Sequence, residues 1–184
     1  MASGHLVFVV KMGFTSKARW VKDGHRTPDI TTSAYDGVVF CESVRVALTY
    51  AALMDMEVIA ADIQNVYLQA PSSEQHFIVC RDKSGLENIW KVALIKRAFY
   101  GGKVAGRDFW HHLQICMEHL GFDSCQADPD VWQITDTNPN GEECYGYALI
   151  YVGDFLVISH KPEAILRKEI RNHFKLREES IGPP

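Results

Sequence analysis

The chain has 184 residues, 47% hydrophobic and 23% charged, which suggests one domain, or one domain with a subdomain, around a sizeable core. No apolar run reaches 18 residues, the start "MASGHLVFVVKM" lacks the basic front and long apolar middle of a secretory signal, and the five cysteines contain no C-x-x-C pair. A membrane span, secretion, a disulfide framework and a standard zinc site are therefore not indicated.

The net charge of −4 is laid out in blocks: +4 over 1–28, −6 over 29–80, +4 over 81–110, −8 over 111–160 and +2 over 161–184. Such blocks read first as solvated surface. Their second reading is a positive face beside an acid-rich centre, which suits a polyanion held near a metal ion.

In chain order, "HLVFVVKM" (5–12) and "SKARWVKD" (16–23) read as paired strands, with Gly13 in the short connection. Residues 24–40, rich in Thr, Asp, Gly and Pro, read as an irregular loop. "ESVRVALTYAALMDM" (42–56) spaces Val46, Leu48, Ala52, Leu53 and Met56 as one helical stripe. "EVIAADI" (57–63) is a short strand ending on Asp62, and "HFIVCR" (76–81) and "IWKVAL" (89–94) are further strands. "GRDFWHHLQICMEHLGF" (106–122) is an amphipathic helix with Phe109, Trp110, Leu113, Cys116, Met117 and Leu120 in one stripe, stopped by Gly121. "DPDVWQI" (128–134) is a strand entered through a proline turn, and "TDTNPNGEE" (135–143) is a turn. "YGYALIYV" and "FLVIS" are hairpin arms around Gly153-Asp154. "KPEAILRKEIRNHF" (161–174) is a helix with Pro162 in its first turn, and "IGPP" ends the chain in something unfolded or truncated. The order gives an α+β fold: an antiparallel sheet with helices on one face.

Two acids, Asp62 and Asp154, end apolar strands. Each alone reads as a surface turn acid. If the two strands are neighbours, both carboxylates can face one hard cation such as Mg²⁺, which takes oxygen ligands. His112, Cys116 and His119 share a helix face, but Cys116 belongs to the apolar stripe, so this face reads as a core edge rather than a metal site.

Four ordered blocks carry more information: "ADIQNVYLQAP" (61–71), "LIKRAFYGGKVAGRDFW" (94–110), "DPDVW" (128–132) and "LIYVGDFLVI" (149–158). Together with "SKARWVKDG" they resemble the reverse transcriptase of copia-type retrotransposons, an RNA-directed DNA polymerase, over about residues 5 to 182. The first block resembles the family's Asp followed by Ala-Phe-Leu, the second its "YGLKQA-x-R-x-W" helix start, the fourth its "YVDD" hairpin. The resemblance implies right-hand polymerase fingers (about 5–55 and 76–105) and a ferredoxin-like palm (56–75 and 106–178). It implies that Asp62 and Asp154 are catalytic metal ligands for Mg²⁺, with Mn²⁺ as an alternative. It implies that Tyr67 lies under the sugar of an incoming deoxynucleotide. Lys17 and Arg19 match cations that hold its triphosphate, and Lys103 and Arg107 fall in the block near nucleotide and template. The implied partners are an RNA or DNA template-primer and dNTP, in an intracellular setting, either a cytoplasmic element particle or the nucleus.

The chain departs from that pattern. Gly153 stands where the hairpin has its first aspartate, Val104 stands where "LKQA" has glutamine, and the family's thumb and ribonuclease H parts have no counterpart before Pro184. In two-metal phosphoryl transfer the ions sit roughly 3.5–4 Å apart. Without the carboxylate at 153, Asp62 and Asp154 are expected to hold a single Mg²⁺ loosely, and polymerase activity to be lost or strongly impaired. The other expectation is a non-catalytic module, derived from that domain, that binds nucleic acid or protein, with a protein partner or self-association at the surface the thumb would cover.

Overall fold

The computed structural model of the chain describes residues 1–28, 37–80 and 85–184, with backbone alone at 168 and 169. Residues 29–36 of the expected loop and Arg81 of an expected strand lie outside them. The chain forms two compact units. One holds the described parts of Met1–Tyr35 and Tyr67–Phe109, the other those of Asp36–Val66 and Trp110–Pro184. The charge blocks sort with the units. The first has twelve Lys/Arg against six Asp/Glu, the second seven against seventeen.

The first unit contains two antiparallel hairpins. Strand β1 (Gly4–Val10) pairs with β2 (Ser16–Lys22) from Gly4↔Lys22 to Val10↔Ser16. Strand β4 (Pro71–Val79) pairs with β5 (Val92–Arg97), with an irregularity between Pro71 and His76. The first hairpin was legible as a pair and the second only as two strands; β4 starts earlier and β5 later than the apolar runs suggest, and Trp90, at a left-handed φ of 67°, stands before β5. Buried Lys22 ties β2 to β4: its Nζ lies 2.7 Å from His76 Nδ1 and 3.2 Å from Glu74 Oε2. A buried ammonium without such partners would carry an uncompensated desolvation cost.

The second unit is built on a five-stranded antiparallel sheet, order β3-β9-β8-β7-β6. Its strands are β3 (Glu57–Asp62), β6 (Asp123–Ser124), β7 (Val131–Thr137), β8 (Glu143–Tyr151) and β9 (Asp154–Ser159). The fold is thus α+β, as expected, but with three antiparallel sheets in place of one. The sheet is also covered on both faces rather than one. Ala148, Leu149 and Ile150 are consecutive and each at most 1% exposed, while successive strand side chains point to opposite faces. Helix α1 (Cys41–Leu53) covers the face of Leu149 and Ile158. The C-terminal helical stretch packs its first turn, α4, against β3 and β9. It comprises α4 (Pro162–Ala164), a π-helical turn (Ile165–Ile170) and α5 (Arg171–His173).

Helix α1 presents a different face from the one its pattern suggests. Ala47 and Ala51 are buried, whereas Val46 and Leu53 are 69% and 80% exposed. Small side chains let the helix axis approach the sheet, so the alanine stripe wins over the larger residues. The helix start is fixed from a distance: the Asp128 carboxylate accepts the Phe40 N–H at 2.9 Å and the Ser43 hydroxyl at 2.5 Å. Asp130, fully buried, accepts the Trp110 indole N–H at 2.9 Å. Both acids of "DPDVW" are therefore structural. The long helix α3 (Ala105–His119) buries Phe109, Leu113, Cys116 and Met117 as expected. Gly121 follows it at φ 83°, and Phe122 N–H reaches back to Met117 C=O.

Within "IGPP", at the end of the C-terminal tail, Gly182 is bridged to β3, contrary to the unfolded end expected. Leu176 and Gly182 bridge to Ile63 and Ala60, so the tail runs along the outer edge of β3. An edge strand leaves a row of unpaired N–H and C=O groups, and the tail satisfies them.

Candidate functional site

The two acids that end apolar strands meet. β3 and β9 are adjacent and antiparallel, and Asp62 lies directly opposite Asp154. The backbone N–H of Asp62 donates to Ser180 Oγ at 2.8 Å and its C=O accepts the Arg177 N–H at 2.8 Å, so both groups face the tail and not β9. Asp62 and Asp154 are therefore a non-hydrogen-bonded pair, the kind in which facing side chains stand closest.

Two like charges in that position repel, and the sequence supplies a counter-charge at Arg177. Its guanidinium Nη1 is paired with Asp62 Oδ2. Asp154 keeps a raised pKa: burial is the first cause, the Asp62 charge the second, and Arg177 opposes both. Asp154 is exposed at the rim of the sheet and lies on the wall of a largely apolar groove of about 380 Å³ lined by Val39, Cys41, Val44, Leu149, Tyr151 and Leu156.

The hairpin that carries Asp154 is tighter than its glycine suggests. Tyr151 pairs with Asp154, leaving Val152 and Gly153 as a two-residue loop. The left-handed φ, 55°, falls on Val152, while Gly153 has none. A positive φ on the first loop residue alone is the type II′ pattern, and a β-branched residue there is strained. Gly153 thus does not serve the turn through φ. It serves through size: it is buried, and a Cβ at 153 would stand 3.1 Å from both Cβ and Cγ2 of Val66. Its C=O accepts the Ile63 N–H at 2.8 Å, which locks the turn to the end of β3.

The donor set is a pair of carboxylates on facing strand positions, oxygen ligands of the type a hard cation such as Mg²⁺ takes. It does not supply the third carboxylate that a second ion would share. Among the described residues no group of three or more His, Cys, Asp or Glu is arranged to hold a metal ion. On α3, His112 packs its ring 5.5 Å from Phe174 and buried Cys116 has its thiol pKa pushed up by desolvation, the expected core edge.

The other expected site residues lie in the first unit. Arg19 sits over the Tyr100 ring at 5.2 Å, and Tyr67 meets the same ring edge-on at 5.1 Å. The structure therefore gathers Arg19 and Tyr67 around Tyr100, with Phe109 behind Tyr67 at 6.3 Å. Lys17, on β2 two positions before Arg19, is half-buried. Lys103 donates to the carbonyls of Thr27 at 3.0 Å and Pro28 at 3.3 Å. Arg107 donates to Ser73 Oγ at 2.7 Å beside buried Asp108, which also accepts Ser73 N–H and Oγ–H. Both cations thus hold the chain's own groups, and Val104 is core at 4% exposure. Sequence reading missed Tyr100, Arg177 and Ser180. Tyr100 had a signal, since it begins the Tyr-Gly block. Nothing local marks Arg177.

Among the described residues no helix is long and apolar enough to cross a membrane. No family model matches the chain, and no curated protein matches it.

Proposed function

We propose that the chain is the fingers–palm part of a copia-type reverse transcriptase, a template-directed nucleotidyltransferase whose catalysis is lost or strongly impaired. In this reading about 5–55 and 76–105 correspond to the fingers and 56–75 and 106–178 to the palm, the ferredoxin-like comparison resting on the strand–hairpin pairing of β3, β9 and β8. The observation that carries the reading is the register Asp62↔Asp154. Two acids that the resemblance assigns to one metal site, far apart in sequence, are direct cross-strand partners. The excess of Lys and Arg in the first unit is a second support, because an RNA or DNA template-primer and a dNTP triphosphate are polyanions.

Each residue has a task under this reading. Asp62 and Asp154 would hold Mg²⁺, or Mn²⁺, near the reacting phosphate. When bound, that ion supplies charge neutralisation for phosphoryl oxygens. Tyr67, braced by Tyr100 and Phe109, offers a ring face to a sugar, and Lys17 and Arg19 offer positive charge to phosphates. Lys103 and Arg107 act indirectly, by fixing the segments around Thr27 and Ser73. The site lacks the carboxylate at 153, and the space beside it is taken by Val66.

The test is primer extension with the unmodified chain, with Gly153→Asp and with Val66→Ala/Gly153→Asp. We expect no robust extension by the unmodified chain, and greater recovery in the double variant than in Gly153→Asp alone, because removing Cγ1 and Cγ2 of Val66 gives the acid more room. Robust extension by the unmodified chain sinks the claim of lost chemistry.

A second reading is favoured by a specific observation: Arg177, Lys103 and Arg107 are all engaged with groups of the chain itself. It takes the chain as a non-catalytic module derived from that domain, binding nucleic acid or a protein. A salt titration of RNA binding separates the versions, since phosphate contacts weaken steeply with salt. No affinity at low salt eliminates the nucleic-acid version.

A further inference from the structure

The Asp62–Asp154 pair already has a cation against it, and that cation arrives on a segment stitched to the outer edge of β3. Gln64 N–H donates to Lys175 C=O at 2.8 Å and Arg177 N–H to Asp62 C=O at 2.8 Å. Ala60 and Gly182 exchange N–H···O=C bonds of 2.8 and 3.2 Å. Ser180 Oγ accepts the Asp62 N–H and donates to Arg177 C=O at 2.6 Å, which fixes the backbone from which Arg177 reaches Asp62.

The charged groups around the Arg177 guanidinium are Asp62, Asp154 and Glu179, the last 3.6 Å from Nε. A guanidinium neutralises carboxylates and donates hydrogen bonds, but it has no coordination site to share with a phosphate oxygen. The tail's surface ion pairs are weak moorings. Glu178 pairs with Arg171 at 2.8 Å and Arg167 at 3.7 Å, but these side chains are about half exposed, and exposed ion pairs contribute little. Buried Leu176 is its apolar anchor. A single edge segment held by backbone bonds and surface charges is the kind of element that opens locally without global unfolding.

We infer that Lys175–Gly182 is an autoinhibitory strap whose Arg177 takes the cation's place at the Asp62–Asp154 pair, so that a divalent ion enters only as Arg177 withdraws. The inference rests on the reading of that pair as a cation site. Arg177 accounts for how two facing carboxylates stand together in the folded chain, and the same contact bars a metal.

The test is a Mn²⁺ titration of the full chain, followed by electron paramagnetic resonance, on the unmodified protein, Arg177→Gln, Arg177→Lys and Asp62→Asn/Arg177→Gln. Removing one competing unit charge should tighten Mn²⁺ binding in Arg177→Gln by about tenfold or more, Arg177→Lys should stay weak, and the double variant should lose the site. In parallel, hydrogen exchange of the amides of Arg177 and Gly182 in the unmodified chain should speed up several-fold on saturation with Mg²⁺. That arm needs no variant to fold. Equal Mn²⁺ affinity in the unmodified chain and Arg177→Gln, lost with Asp62→Asn, overturns the strap and leaves the cation site standing. No binding dependent on Asp62 in any variant overturns the cation site itself, and the strap's competition with it. Saturation with unchanged exchange overturns the strap.

Discussion

Gly153 and Val66 are a size-matched pair, and a double-mutant cycle measures it. A Cβ at 153 would stand 3.1 Å from two Val66 carbons, so Gly153→Ala forces Val66 or the hairpin to move by a few tenths of an ångström. Overpacking of this kind costs about 1–3 kcal/mol. It is offset by about 0.4–1 kcal/mol from the lower entropy of the unfolded chain, because Gly153 has no left-handed φ and alanine tolerates its conformation. The net expectation for Gly153→Ala is a loss of about 1 kcal/mol. Val66→Ala alone removes two methyl groups from a half-buried site and costs about 1 kcal/mol. In the Val66→Ala background the Cγ2 contact is gone while the 3.1 Å approach to Cβ stays against a smaller side chain that can shift, so the same Gly153→Ala step should become close to neutral. The cost of the second substitution thus depends on the first, with a coupling of about 1 kcal/mol. Urea unfolding followed by tryptophan fluorescence and circular dichroism gives all four stabilities, provided the two transitions coincide. Additivity within about 0.5 kcal/mol would show that position 153 has spare room, and the steric account of the missing aspartate would fail.

Asp128→Ala should destabilise by about 2–3 kcal/mol, read as a lower urea midpoint, because the buried carboxylate caps the start of α1 and its donors would be left unpaired. Val152→Gly should raise stability by about 0.5–1 kcal/mol in thermal denaturation, since glycine relieves a left-handed φ that costs a β-branched residue about 1–2 kcal/mol and returns part of that gain as entropy. His76 should make the fold acid-sensitive. Burial, and then the neighbouring Lys22 charge, hold its pKa below the ordinary 6.5, against the pull of Glu74. Between the lowered value and 6.5 the unfolded chain binds more protons than the folded one, so this contribution is complete above pH 6.5 and is lost as the pH falls through that window. The urea midpoint of the unmodified chain should drop more from pH 7.5 to pH 5.5 than that of His76→Gln, and parallel profiles would refute the assignment.

The parts of this fold that were legible in the sequence are those fixed by neighbours in the chain. β3, the β8–β9 hairpin and α3 follow from runs and periods, and α3 and β3 end where Gly121 and Asp62 end their apolar runs. The placement of Asp62 and Asp154 at strand ends was legible too. Their direct opposition was only conditional, since a run length says nothing of which strand pairs with which. The face of α1 was misread because two stripes compete on it, and the choice is made by how closely a sheet can approach, a property of the partner surface. In "DPDVW" a turn acid looks the same whether it faces water or, as Asp128 does, the start of a helix 88 residues earlier.

The charge on the candidate site was the least legible quantity, for the same reason. Strand-end carboxylates announce negative charge locally, but what neutralises them is a tertiary contact. Here it comes from Arg177, in a segment between the expected helix and "IGPP" to which sequence reading gave no element, seated beside Ser180, which binds the Asp62 backbone across 118 positions. Reading only the acids leads to a metal site, and reading the acids with Arg177 leads to a site that carries its own cation. Gly153 points the same way. With two carboxylates rather than three, the negative charge is low enough for a single guanidinium to hold much of it, so Arg177 at Asp62 and glycine at 153 fit each other electrostatically as Val66 and glycine fit sterically. An aspartate introduced at 153 would make the pocket net negative, and the strap and a divalent ion would then compete for it on different terms.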